Sequence, residues 1–266
     1  MLIQKFAPSA RLQKLIKCYY YIEKHDEALL HDRYFADGCV EVVFSTGWEF
    51  FKNDTKEPWA KIIGQIIQPR ELDIVGKGRS FGVWFYPHAF SWFYQGNLSE
   101  LNDRVAAWDE LFPGWISERV GEFLSQGQVE GLVSLMDQFW LQRLATRRDT
   151  QADNLVGFSI GHLYEHKGAA DLRKLHEMLS VSDRYLQKLF STRVGLTPKQ
   201  AVRIFRFQEA VQHLTDHQSS LTRLAYDHHF YDQSHFVREF KQFTGFRPSQ
   251  FDKASLPINQ HFLATD

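Results

Sequence analysis

Two stretches of this sequence repeat one helical pattern fifty positions apart, and that duplication restricts the possible folds more than any other feature. In the first, Leu186 and Phe190 precede Gly195, Leu196, Thr197 and Pro198; in the second, Phe236 and Phe240 precede Gly245, Phe246, Arg247 and Pro248. A short amphipathic segment leads into each, Leu172–Leu175–Leu179 in one and Leu221–Leu224–Ala225 in the other. Each copy reads as a helix, a tight turn and a second helix with an apolar inner face. The outer helix of such a unit fits a DNA major groove, and two units in one chain can read two successive groove segments.

Local chemistry sharpens the pattern. Asp171 and Ser182 stand where N-caps belong, and Leu186, Leu189 and Phe190 fall on one inward stripe. Arg184, Gln187, Lys188 and Ser191 are left outside. Gly195 occupies the position of a left-handed helix stop, and Thr197–Pro198 supplies a cap and an N1 proline for a third helix. That helix carries Ala201, Ile204, Phe205, Ala210, Val211 and Leu214 inward and reads as a rigid spacer. In the second unit Asp232 caps the outer helix, Phe236, Phe240 and Phe243 face inward, and Gln233, Ser234, Val237, Arg238 and Lys241 stay outside. The expected base readers are Arg184, Gln187 and Lys188 in one unit and Gln233, Ser234, Val237 and Arg238 in the other. Gln pairs with adenine, and Arg and Lys favour guanine. Thr197, Lys241 and Arg247 are expected on phosphates, fixing register without reading sequence. A single such residue is more simply a solvated surface group; two copies with matching inner faces, stops and spacer make the DNA reading the better one.

At 266 residues, 44% of them hydrophobic, the chain has material for two cores. Residues 1–150 carry 17 Lys and Arg against 20 Asp and Glu, and residues 151–266 carry 14 against 12. That balance alone would not announce nucleic acid. Cys18 and Cys39 lack metal or redox spacing and read as reduced thiols. No window approaches the ~18 apolar residues of a membrane span, and no signal peptide is visible, so no membrane partner and a cytoplasmic location are expected.

The first hundred residues read as short strands: Tyr34–Phe35, an Asp37–Gly38 turn, Val40–Phe44, Lys61–Ile67 and Phe81–Tyr86, with Gly47, Gly64, Gly76, Gly78 and Gly82 as breaks. Helical periodicity follows, with Ile116, Val120 and Leu124 on one stripe and Val129, Leu132, Val133, Met136, Trp140 and Leu144 on another. These stripes either pack onto their own barrel or form a dimerisation surface. The aromatic run containing Trp84, Tyr86 and Phe90 is either barrel core or the lining of a ligand pocket. Thr146–Asp153 is polar and reads as a linker, with a helix expected over Asn154–His166. The fold class expected is α+β: a small N-terminal β-barrel with flanking helices over 1–148, then an all-α domain over 154–253 with two helix-turn-helix units joined by a linker helix.

The C-terminal residues resemble the double helix-turn-helix domain of AraC/XylS-type transcription regulators. Ser182, Tyr185, Leu186, Leu189, Phe190, Gly195, Thr197–Pro198, Arg206, Ala210 and Leu214 carry the likeness in the first unit and spacer. Ala225, Phe230, Asp232–Phe236, Phe240–Lys241, Thr244–Gly245 and Pro248 carry it in the second. More weakly, Arg33, Asp37–Gly38, Gly64–Gln65 and Gly82–Pro87 resemble the cupin-like sensor regions of some such proteins. The resemblance implies a regulator bound to double-stranded DNA, a homodimer, and control by a small-molecule effector or by dimerisation, with no cofactor, no metal and no catalytic residue. It departs from the family at Ser180 and His229, where a turn glycine is usual, and at His176, where a small alanine is usual. The competing readings are a cupin-type enzyme, for which His25, His31, His88 and Glu41 are the only ligand candidates, and a dimeric DNA-binding protein without a ligand.

Overall fold

Period-2 alternation of large apolar residues builds the N-terminal half, and both faces of its sheet are covered. The computed structural model describes residues 1–147, 150–214, 220–252 and 256–261. Among the described residues eight strands run β1 (Leu2–Phe6), β2 (Ile16–Lys24), β3 (Leu30–Tyr34), β4 (Val40–Lys52), β5 (Thr55–Lys56), β6 (Ala60–Ile63), β7 (Arg70–Phe85) and β8 (Val105–Ala107). They form one antiparallel sheet in the order β1-β2-β7-β4-β6-β8, with β3 beside β7 and β5 beside β4. Tyr19, Tyr21, Val42, Phe44, Phe81, Val83 and Phe85 point into one core. Their neighbours Cys18, Tyr20, Ile22, Val43 and Trp84 point into another, which Ile258 joins from the C-terminal end.

Of the five glycines expected as strand breaks, Gly64 follows the end of β6, and the other four lie within strands. β4 runs through Gly47, where the register against β7 shifts by a bulge, and β7 runs through Gly76, Gly78 and Gly82. At Gly47 and Gly76 φ is 84° and 92°, a left-handed backbone that glycine adopts without steric cost. A Cβ on Gly82 would overlap the Tyr20 ring. Here glycine marks bends and close approach within two long strands, so several short strands merge into fewer long ones.

Three helices follow: α1 (Trp108–Leu111), α2 (Gly114–Gln126) and α3 (Val129–Ala145). Ile116, Val120, Leu124, Leu132, Met136 and Trp140 are all buried in the first core. Both helical stripes therefore pack onto their own sheet, and those side chains are not available to a second copy. Phe90 belongs to the same core, edge-on to Phe85.

The helical half comprises α4 (Gln151–Glu165), α5 (Leu172–Leu179), α6 (Asp183–Arg193), α7 (Pro198–Leu214), α8 (Leu221–Asp227) and α9 (Gln233–Thr244). The first of these begins at Gln151, not Asn154. Thr150 accepts from the Asp153 N–H, and the Asp153 carboxylate takes the Thr150 N–H in return, so a reciprocal cap starts the helix inside the supposed linker. Of that linker, Arg148 and Asp149 lie outside the described residues, as does residue 253 at the expected end of the domain. One core joins Leu163, Leu175, Leu186, Phe190, Ile204, Phe205, Phe207, Val211, Phe236, Phe240 and Phe243, and it takes in Phe35 and Ala36 from the β half.

Candidate nucleic-acid interface

Each outer helix is started and stopped by the residues expected to do so. Asp171 accepts from Arg173, Ser182 from Tyr185 and Asp232 from His235, each through a backbone N–H at its helix start. Thr197 and Gln200 exchange hydrogen bonds at the start of α7, where Pro198 is the first residue. Gly195 and Gly245 have φ of 88° and 78° and end α6 and α9. Both turns ahead of the outer helices are left-handed without glycine: Ser180 at 52° and His229 at 59°. An L side chain there costs roughly 1–2 kcal/mol. His176, in the place of the usual small residue, reaches the Asp183 carboxylate with Nε2 at 3.2 Å, while its buried Nδ1 has no partner.

The capped helices hold Leu186, Leu189 and Phe190, and Phe236, Phe240 and Phe243, inside the core. Arg184, Gln187 and Lys188 on α6 are consequently exposed, as are Gln233, Ser234 and Arg238 on α9, while Val237 is half-buried. Two of these amides are engaged within the protein. Gln187 donates to Asp183 at 2.9 Å and Gln233 accepts from Thr222 at 2.7 Å, so each must release a local bond to meet a base. Thr197, Lys241 and Arg247 are exposed near helix ends.

Sequence reasoning gave no contact role to three tyrosines on the same two units: Tyr185, Tyr226 and Tyr231, the last 85% exposed. An aromatic next to a cap residue was readable as a surface group, but periodicity assigns tyrosine to a core by default. Glu239 was also missed. Buried on α9, it receives Arg203 and Arg206 from α7, the latter at 3.0 Å, and so ties the spacer to the second outer helix.

The β half meets the helical half at the ends of both outer helices. Asn102 donates to the Gly195 carbonyl at 2.6 Å, and Arg33 donates to the Thr244 carbonyl at 2.9 Å with its guanidinium over the Phe246 ring. A Cβ on Gly195 would sit 2.8 Å from Asn102 Oδ1, and one on Gly245 would sit 2.7 Å from Arg33 Nη1. Each stop glycine thus serves a left-handed turn and a close domain contact at once. Between these two grips, Gln208 on α7 donates to the Ala36 carbonyl and Phe207 packs edge-on to Phe35. The grips hold C-terminal ends only, so the exposed N-terminal halves of α6 and α9 stay clear of them.

A cavity of about 20 Å³ lies in this seam, lined by Tyr34, Asp37, Cys39, Glu41 and Trp84 with Gln208 and Asn259. That is room for about one water. Of the three aromatics proposed for a ligand pocket, only Trp84 lines it; Tyr86 packs edge-on to Tyr164 of α4, and Phe90 belongs to the first sheet core. Burial and the neighbouring Asp37 carboxylate push the Glu41 carboxyl up to about 8. Burial likewise raises the Cys18 thiol to about 11, which disfavours the reactive thiolate.

The ligand set of a cupin enzyme does not converge among the described residues. His25 is exposed near Glu23, and His31 is exposed and paired with Asp73 at 2.6 Å. His88 is kept neutral by burial, its pKa falling to about 4. No described helix is long and apolar enough to cross a membrane.

Comparison with known families gives two matches. Residues 175–254 match a family described as a helix-turn-helix domain, and residues 4–107 match one described as a domain of unknown function (DUF6597). No curated protein matches the sequence. Among solved structures, ToxT from Vibrio cholerae bound to (E)-4-(8-methylnaphthalen-1-yl)but-3-enoic acid overlays with a TM-score of 0.45 at 11% identity, covering 99% of this chain and 100% of that one. A second ToxT crystal form gives 0.46 at 9% identity, over 87% of this chain and 96% of that one. The AraC-like transcriptional activator CuxR gives 0.26 at 13% identity, over 79% and 86%.

Proposed function

We propose that this chain, whose residues 175–254 match a helix-turn-helix domain family, is a transcription regulator of the AraC type in which α6 and α9 enter consecutive major-groove segments on one side of a duplex. Arg184, Gln187 and Lys188 read one segment, and Gln233, Ser234, Val237 and Arg238 read the other, while Thr197, Lys241 and Arg247 contact phosphates. The exposed tyrosines Tyr185, Tyr226 and Tyr231 add contacts at the edges. The observation that supports this most is the pair of grips: one domain holds the C-terminal ends of both outer helices and leaves both polar N-terminal halves free.

The β half acts as the controlling domain, in a cytoplasmic protein that is not an enzyme. A small effector changes DNA affinity only by preferring one of two states. The seam beside Trp84 is the place for it, and the cavity there must widen to admit anything larger than water. Because α2 and α3 spend their apolar stripes on their own sheet, a homodimer has to use other surface. The direct test is titration of duplexes carrying single-base changes with wild type and Arg238→Ala. The variant is expected to lose discrimination at one position, roughly 1–3 kcal/mol, and to keep its fold. Unchanged relative affinities refute the assignment of Arg238.

A further inference from the structure

The last turn of α4 collects donors that the DNA reading does not use. His162, Glu165 and His166 each offer one ligand atom, and these three atoms lie within 4.8 Å of one another. The spacing i, i+3, i+4 explains the convergence, since such residues share one face of a helix. The two imidazole rings are 4.0 Å apart between centroids. His166 Nδ1 lies 2.9 Å from the His162 backbone carbonyl. A carbonyl can only accept, so Nδ1 carries the proton and Nε2 keeps its lone pair. Histidine ligands are oriented in this way, with the second nitrogen bonded to a carbonyl or carboxylate. Phe158 stacks on His162 with 11° between the planes, which limits that ring's freedom.

We propose that this turn binds one divalent ion of the zinc type, with water in the open positions. Two imidazole nitrogens and a carboxylate oxygen suit zinc, cobalt, nickel or copper, whereas magnesium and calcium require a shell of oxygens. Metal–donor bonds of roughly 2.0–2.2 Å put the donors of one ion about 3–4 Å apart. Glu165 and His166 are exposed and His162 half-buried, so rotation by about an ångström closes the set. The negative end of the α4 helix dipole further favours a cation there.

The site's position gives the ion a consequence. Directly after it, Lys167 pairs with Glu209 of α7 at 3.4 Å, and a Cβ on Gly168 would overlap the Arg206 backbone. An ion fastening the last turn of α4 would stiffen the turn that rests on the spacer between the two outer helices. The turn lies outside the N-terminal strands on which a cupin-type ligand set would fall, and the sequence expectation of no metal did not extend to it.

The test uses the full chain, stripped with a chelator and titrated with zinc chloride by calorimetry. One equivalent is expected to bind, with loss of binding in His162→Ala and in His166→Ala. Glu165→Ala should weaken binding by more than about tenfold, the cost of removing even an outer partner of a metal site. His213→Ala, which disrupts a second histidine pair with ring centroids 4.8 Å apart, should bind as wild type does. Zinc should also raise the thermal midpoint of wild type and not that of His166→Ala, with circular dichroism confirming that the metal-free variants are folded. Absence of saturable binding to wild type, or zinc affinity unaltered in the His162→Ala/His166→Ala double variant, overturns the proposal.

Discussion

At the scale of single residues, the two halves of the molecule differ in what their sequence discloses. Caps and stops depend on neighbours a few positions away, so Asp171, Ser182, Thr197–Pro198, Asp232, Gly195 and Gly245 were all legible. The same locality fixes the strain at Ser180 and His229, whose φ values of 52° and 59° suit glycine. Ser180→Gly and His229→Gly are each expected to stabilise the protein by about 1 kcal/mol, read from the urea midpoint; a loss of stability would show that the side chains are needed there. Glu41 was visible only as a lone carboxylate in a strand. Its burial depends on residues far away in sequence, and burial raises its pKa from 4.5 to about 8. Between those values the unfolded chain gives up the proton before the folded one, so this group contributes stability that falls as pH rises through the window. Glu41→Gln, neutral at every pH, should flatten the decline in urea midpoint between about pH 5 and 8. An identical decline in both proteins would mean that Glu41 does not hold its proton.

Elements are where sequence reading both succeeded and slipped. The period of 3.6 placed α6, α7 and α9 with their inner faces, because each stripe has its partner within the same module. It missed Phe207 on α7, which packs against Phe35 of the β half, and Glu239 on α9, whose partners Arg203 and Arg206 sit on another helix. The long strands β4 and β7 were cut into pieces because glycine signals a break unless the pairing that bends a strand around it is known. The Glu239 contacts have a measurable consequence. Burial pushes that carboxyl up, but hydrogen bonds from Arg203 and Arg206 outweigh it and hold the pKa below the ordinary value. Its contribution is therefore present above the unfolded pKa and is lost as pH falls. Glu239→Ala leaves two guanidinium groups facing each other without their carboxylate and should cost about 3 kcal/mol. A loss under about 1 kcal/mol in urea unfolding would place the pair in the class of solvated surface bridges.

Across the whole molecule, the duplication that stands out in the sequence acquires a second meaning in three dimensions. The glycines that stop α6 and α9 are also where Asn102 and Arg33 of the other domain take hold. No local signal pairs Asn102 with Gly195 or Arg33 with Thr244, so this seam was not legible in advance. It lets one domain bear on both outer helices together, which is the arrangement a controlling domain needs if it is to change the spacing or tilt of two readers. Whether those readers engage one duplex is decided most directly by selecting bound sequences from a random DNA pool, with wild type and with an Arg184→Ala/Gln187→Ala variant. The expected result is two short conserved blocks about one helical turn, ~10 base pairs, apart, with the variant losing information in one block only. A single block, or loss from both blocks at once, would contradict two independent readers on one face of DNA.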